Sequence, residues 1–224
     1  MRRRPSLFWR ILLGLLLLAL LFPTTSPLIS FGNTPTAPNA STTEASGHPM
    51  IFEDVEESDY FYDAVRWAVE HGITEGTSDT TFAPKDYCSR GQVITFLWKA
   101  MGSPEPQSSS HPFTDVPEDA YYTKAVLWAA EQNIASGTSE STFSPNAPCA
   151  RAQVMTFLWR AKNSPDVGRR VMSFTDVKAD QYYYDPVCWA VKEGITAGTS
   201  DTTFDPDASC TRAQVVTFLW QAYK

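Results

Sequence analysis

The sequence predicts a mainly α-helical fold: three helix–loop–helix repeats with short extended loops, arranged as a pseudo-threefold assembly. Two observations carry that expectation. Phe52, Phe113 and Phe174 each open a Phe-x-Asp-Val phrase, 61 residues apart, and each is followed 38 residues later by Arg90, Arg151 or Arg212 inside Cys-x-Arg-x-Gln. Trp67, Trp128 and Trp189 keep one register, and Trp98, Trp159 and Trp220 another. Three copies without insertion or deletion imply units that bury their apolar faces against one another, since one repeat of this size is marginal alone. Function is expected at a site that recurs rather than in one unique catalytic cluster.

The first element of each repeat is a helix. Ala64, Trp67 and Ala68 follow helical spacing, as do Ala125, Trp128 and Ala129, giving an apolar stripe for a shared core. Gly72, Asn133 and Gly194 stand where a helix ends on a left-handed residue. Next comes a loop rich in Gly, Thr and Ser that ends in Phe-x-Pro, as in GTSDTTFAP and GTSDTTFDP. Gly76, Gly137 and Gly198 mark a tight turn or a close backbone approach there, and Pro84, Pro145 and Pro206 forbid helix. The second helix begins at the arginine. Ser89 with Gln92 and Thr211 with Gln214 form capping boxes, whereas Ala150 lacks the capping oxygen. Val93, Phe96, Leu97 and Ala100 then run at core spacing.

Residues 1–32 differ in kind. Arg2, Arg3, Arg4 and Arg10 precede a leucine-rich run from Ile11 to Phe22, too short to cross a bilayer comfortably as a helix. An export signal is expected, the alternative being an uncleaved anchor that would be the chain's one membrane contact. Residues 33–50 read as a solvated linker. The repeats occupy 51–111, 112–172 and 173–224.

Removing the signal takes four arginines and no acids from 18 basic and 25 acidic residues, leaving 14 against 25, a net charge of −11. Such an acidic chain is poorly suited to nucleic acid, and it would bind an anionic polymer only through local cationic pockets. Cys88, Cys149 and Cys210 are equivalent positions, read as small buried residues that meet only if they face an axis. Cys188 is the odd one, and a Cys188–Cys210 bridge is open to an exported chain. No metal spacing or cofactor motif is present, and His48, His71 and His111 neither repeat nor cluster, so no enzyme is expected.

The arginines are the leading candidates for chemistry. A cation at the first helical position is disfavoured by the helix dipole, yet free backbone N–H groups and a guanidinium fork together suit a carboxylate or phosphate. The alternative is an internal clamp to Asp54, Asp115 or Asp176. Those aspartates are themselves candidates, as turn residues or as acceptors for sugar hydroxyls. Gln92, Gln153 and Gln214 serve as caps or ligand contacts, and Tyr60, Tyr121 and Tyr182 as core or as aromatic faces for a sugar ring.

The combined pattern of Phe-x-Asp-Val, Gly-Ile, a glycine-bearing loop ending Phe-x-Pro and an Arg-led helix resembles the S-layer homology (SLH) domain in three tandem copies. That resemblance implies a three-pronged pseudo-trimer around a helical bundle. It also implies a secreted, cell-wall or cell-surface module that binds secondary cell-wall polysaccharide attached to peptidoglycan, through a pyruvate ketal on N-acetylmannosamine. The family's Thr-Arg-Ala-Glu appears as SRGQ at 89–92, ARAQ at 150–153 and TRAQ at 211–214, so Arg90, Arg151 and Arg212 are expected to hold the anionic group in grooves between neighbouring repeats. Gln replaces the acidic member throughout, and Tyr60, Tyr121 and Tyr182 stand where many members carry Trp. Only the third repeat combines a Thr cap, Arg, Ala and Gln, so its groove is expected to bind most strongly. Other readings are an envelope module that meets another protein and, with least support, a wall-active hydrolase using an acid pair.

Overall fold

A computed structural model describes residues 52–168 and 172–224. The expected export signal and linker lie outside these residues. Among the described residues the regular elements are six helices: α1 (Tyr62–Glu70), α2 (Arg90–Ala100), α3 (Thr123–Glu131), α4 (Arg151–Ala161), α5 (Tyr184–Lys192) and α6 (Arg212–Tyr223). They fall two to each copy, as the repeat predicts, and the extended loops pair only as isolated bridges.

The second helices α2, α4 and α6 contact one another at the centre. Each first helix packs on the second helix of another copy: α3 on α2, α5 on α4, and α1 back on α6. The last contact closes the ring between the first and third repeats, so no copy carries its core alone. At the axis, Cys88 N–H donates to Cys210 O, Cys149 N–H to Cys88 O and Cys210 N–H to Cys149 O, each at 2.9 Å. This three-membered backbone ring brings the three equivalent cysteines together. Their side chains are fully buried, and no disulfide joins Cys88, Cys149, Cys188 or Cys210, so the Cys188–Cys210 bridge is not formed.

Helix ends follow the local chemistry. Gly72, Asn133 and Gly194 adopt positive φ of 66°, 55° and 70°. In each repeat the next residue's N–H reaches five back, as Ile73 to Ala68 O at 2.8 Å, which satisfies carbonyls the helix leaves orphaned. Ser89 and Thr211 cap their helices reciprocally with Gln92 and Gln214. At Ala150 only the return half exists, Gln153 Oε1 accepting the Ala150 N–H at 3.3 Å. Of the six repeated tryptophans, Trp128 and Trp189 are buried, while Trp67, Trp98, Trp159 and Trp220 are half-buried against the core.

A candidate glycan groove built from three repeats

Each repeat's loop is shaped by its own aspartate. Asp54 accepts the Phe82 and Ala83 N–H groups at 2.8 and 2.7 Å, and Asp115 accepts those of Phe143 and Ser144 at the same distances. Asp176 does the same for Phe204 and Asp205. The pinned residue is left-handed each time, with φ of 56°, 57° and 56° at Ala83, Ser144 and Asp205. Bonds from an ionised acceptor hold a conformation that a side chain with a Cβ resists. The Phe of Phe-x-Asp-Val packs against the Phe of Phe-x-Pro, with ring centroids 5.5–6.0 Å apart. Gly76, Gly137 and Gly198 sit against that pair. A Cβ at Gly137 would lie 2.4 Å from Ser139 O, 2.5 Å from Thr142 O and 2.7 Å from the Phe113 ring.

This loop is clamped by the arginine of the preceding repeat. Arg90 Nε donates to Phe143 O at 3.0 Å, Arg151 Nε to Phe204 O at 2.9 Å and Arg212 Nε to Phe82 O at 2.8 Å. Each guanidinium also sits between two phenylalanines; Arg90 Cζ lies 4.8 Å from the Phe143 centroid and 5.5 Å from that of Phe157. The three side chains are only 3–4% exposed, and desolvation lowers the pKa of each from its ordinary value. None is ion-paired among the described residues. Arginine and aspartate instead grip opposite ends of one loop: the carboxylate holds the N–H groups and the guanidinium holds the carbonyl.

The helix starts differ from the sequence expectation. The first two N–H groups of α2, α4 and α6 are not free, because loop carbonyls of the following repeat occupy them. Arg90 N–H donates to Ala147 O at 2.9 Å and Gly91 N–H to Pro145 O at 2.8 Å, with equivalents at Arg151, Ala152, Arg212 and Ala213. The caps take the next N–H in α2 and α6. The first two N–H groups of each helix are therefore closed to a ligand, which would meet the surrounding side chains instead.

Those side chains converge in a cleft of about 420 Å³ lined by Arg90, Ser136, Gly137, Thr138, Gln153, Thr156, Phe157, Arg160 and Tyr182. One member of each predicted class except the aspartates is present: Arg90 from repeat one, Gly137 and Gln153 from repeat two, Tyr182 from repeat three. Asp115 stands behind the loop. Arg90 Nη2 donates to Ser136 O at 3.1 Å. Burial pushes the Tyr182 phenol up and Arg90 draws it back, although the residue is 61% exposed. The same cyclic permutation sets Tyr60 beside Arg151 and Tyr121 beside Arg212. Each tyrosine is exposed and meets the next ring edge-on.

Sequence reasoning placed grooves between neighbouring copies but missed that the third copy supplies the tyrosine, which follows from ring closure. It also missed Arg160, which lines the Arg90 cleft; its only signal was the variation at this register, Lys99, Arg160 and Gln221, among otherwise constant neighbours.

The chain matches the S-layer homology domain at residues 51–94, 112–155 and 173–216. It is 28% identical over 192 residues, 82% of this chain and 20% of the relative, to an endoglucanase of Bacillus sp. (strain KSM-635). It is 31% identical over 119 residues, 51% of this chain and 16% of the relative, to a cell surface protein of Thermoanaerobacter kivui. A cellulosome-anchoring protein of Acetivibrio thermocellus is 26% identical over 163 residues, 67% of this chain and 35% of that protein. The chain thus spans about a third or less of the length of these relatives. With three family matches in the register of its own repeats, it belongs to the S-layer homology domain family, as three tandem copies.

Proposed function

We propose that the chain attaches non-covalently to an anionic secondary cell-wall polysaccharide, held in clefts between its repeats. At the coarser level it is an anchoring module of the cell surface, a reading its three S-layer homology domains support. Arg90, Arg151 and Arg212 supply the positive charge; Tyr182, Tyr60 and Tyr121 supply faces for sugar rings; Gln153, Gln214 and Gln92 line the clefts while capping helices. Gly137, Gly198 and Gly76 keep the loops close to the phenylalanine pair so that the clefts stay open. Asp54, Asp115 and Asp176 set the loops that carry the carbonyls. A pyruvate ketal on N-acetylmannosamine fits this chemistry, its carboxylate matching a guanidinium and its ring a tyrosine.

The observation that carries this reading is the convergence of Arg90, Gly137, Gln153 and Tyr182, from three repeats, in one cleft. Its volume lies within the roughly 300–1,000 Å³ of ligand sites. The chain is proposed to do no catalysis of its own, and an endoglucanase among the relatives fits an anchoring segment joined to a separate enzyme. Co-sedimentation with wall sacculi tests the proposal. The protein is expected to pellet with native sacculi and to remain in solution with sacculi stripped of their polysaccharide. Equal pelleting with both would favour a protein or peptidoglycan partner, and hydrolysis of labelled polymer would favour an enzyme.

A further inference from the structure

The surroundings of Arg90, Arg151 and Arg212 share a frame but not a charge. In the Arg90 cleft a second guanidinium, Arg160 near the end of α4, lines the same space. Arg160 Nη1 donates to Ile134 O at 3.4 Å, which tethers it over the start of the loop whose Ser136 O receives Arg90 Nη2. The described ion pairs are made by Arg66, Lys124 and Lys192, and neither Arg90 nor Arg160 has a carboxylate within 4.0 Å among the described residues. Asp115 lies nearby but is committed to two loop N–H groups. Two cations therefore face one cleft. At the same registers the Arg212 groove has Lys99, with Glu75 in place of Ser136, and the Arg151 groove has Gln221 with Ala197.

Resting on the anionic-glycan reading above, we propose that Arg160 is a specificity-determining residue that makes the Arg90 cleft select a sugar unit carrying two negative groups. Arg90, nearly buried, takes one group in fixed geometry. Arg160, half-exposed at the rim, takes the second. In the Arg212 groove the cation at this register, Lys99, is offset by Glu75, and the Arg151 groove carries no added cation. Arg160 thus separates one groove from two others that share its backbone hydrogen bonds.

The test uses two probes by titration calorimetry: a methyl glycoside 4,6-pyruvate ketal, singly charged, and the same ketal bearing a phosphate monoester. The wild-type protein is expected to bind the phosphorylated probe about tenfold more tightly, the scale of one added charge-assisted contact. Arg160→Gln should reduce that preference to about twofold while changing affinity for the singly charged ketal less than about threefold. The reciprocal Gln221→Arg should create a second site that prefers the phosphorylated probe, read as a doubled number of the tighter class of sites. Both substitutions exchange residues the frame already carries at this register, and circular dichroism checks folding. A preference that survives Arg160→Gln, or equal wild-type binding of both probes, overturns the inference alone. Binding of neither probe overturns the anionic-glycan reading as well.

Discussion

The Arg90 and Arg212 grooves are built from the same parts and differ in what those parts are left to do. Arg90 spends Nε on Phe143 O and Nη2 on Ser136 O, and it lines an open cleft beside a second guanidinium. Arg212 makes the Nε bond to Phe82 O, but its Nη2 is buried with no partner among the described residues. An unsatisfied buried donor is costly, so Arg212 keeps a hydrogen bond in reserve that Arg90 has already made. The pair teaches that a repeat conserves its clamp through backbone carbonyls, which any sequence supplies, and varies its groove through a few rim positions such as Ser136 against Glu75 and Arg160 against Lys99.

The frame common to both grooves responds most strongly to alkali. Burial pushes the Cys88 and Cys210 thiols up to about 12 from 9.0, and raises Cys149 further. Above pH 9 the unfolded chain releases thiol protons that the folded chain keeps, so stability is complete below that pH and declines as pH rises toward 12. Each thiol contributes about 1.4 kcal/mol per pH unit in that window. Urea unfolding at stepped pH should show the decline, and Cys88→Ala should remove about a third of the slope from the thiol ring. An unchanged slope would mean that the ring is not protonated as described.

The loop glycines separate the two grooves next. Gly76, in the Arg212 groove, has φ of +90° and would place a Cβ 2.5 Å from the Phe52 ring. Gly137 has the same crowding without a left-handed φ. Gly137→Ala should cost about 1–3 kcal/mol of overpacking, and Gly76→Ala about 1–2 kcal/mol more for its backbone. Chemical denaturation measures both, and equal costs would contradict the distinction.

The arginines then differ by one bond. Arg90→Ala loses two charge-assisted contacts and Arg212→Ala one, so Arg90→Ala should destabilise the fold by about 1.5–3 kcal/mol more. For ligand, the helix caps rank the Arg212 groove first, whereas rim charge ranks the Arg90 cleft first for a doubly charged unit. Single Arg→Ala variants titrated with both ketal probes decide between the two rankings. The smallest effect belongs to the caps: Ala150→Ser should gain about 1 kcal/mol by completing a box that Ser89 and Thr211 already form, and no gain would mean that Gln153 is held for the cleft instead.

Much of this architecture was legible because it is local. Left-handed Gly72, Asn133 and Gly194, the capping boxes and the Arg-led helices each depend on residues within one turn. Sequence also brought Arg, Gly, Gln and Tyr forward as classes. It could not show that α1 closes on α6, because that contact joins the most distant copies, and so it missed that each groove draws on all three repeats. Nor could it show that Pro84, Pro145 and Pro206 place their carbonyls on the helix starts. Backbone acceptors carry no sequence identity, and this is why the expected free N–H groups proved to be filled.

Side-chain Nε–Hε NMR of the arginines, titrated with polysaccharide released from wall sacculi, reports on the guanidinium groups themselves. Shifts at Arg90 and Arg160 together with the amide of Gly137, saturating in step, are the expected result. Saturable binding that leaves all of Arg90, Arg151 and Arg212 unmoved would contradict glycan recognition in the inter-repeat clefts.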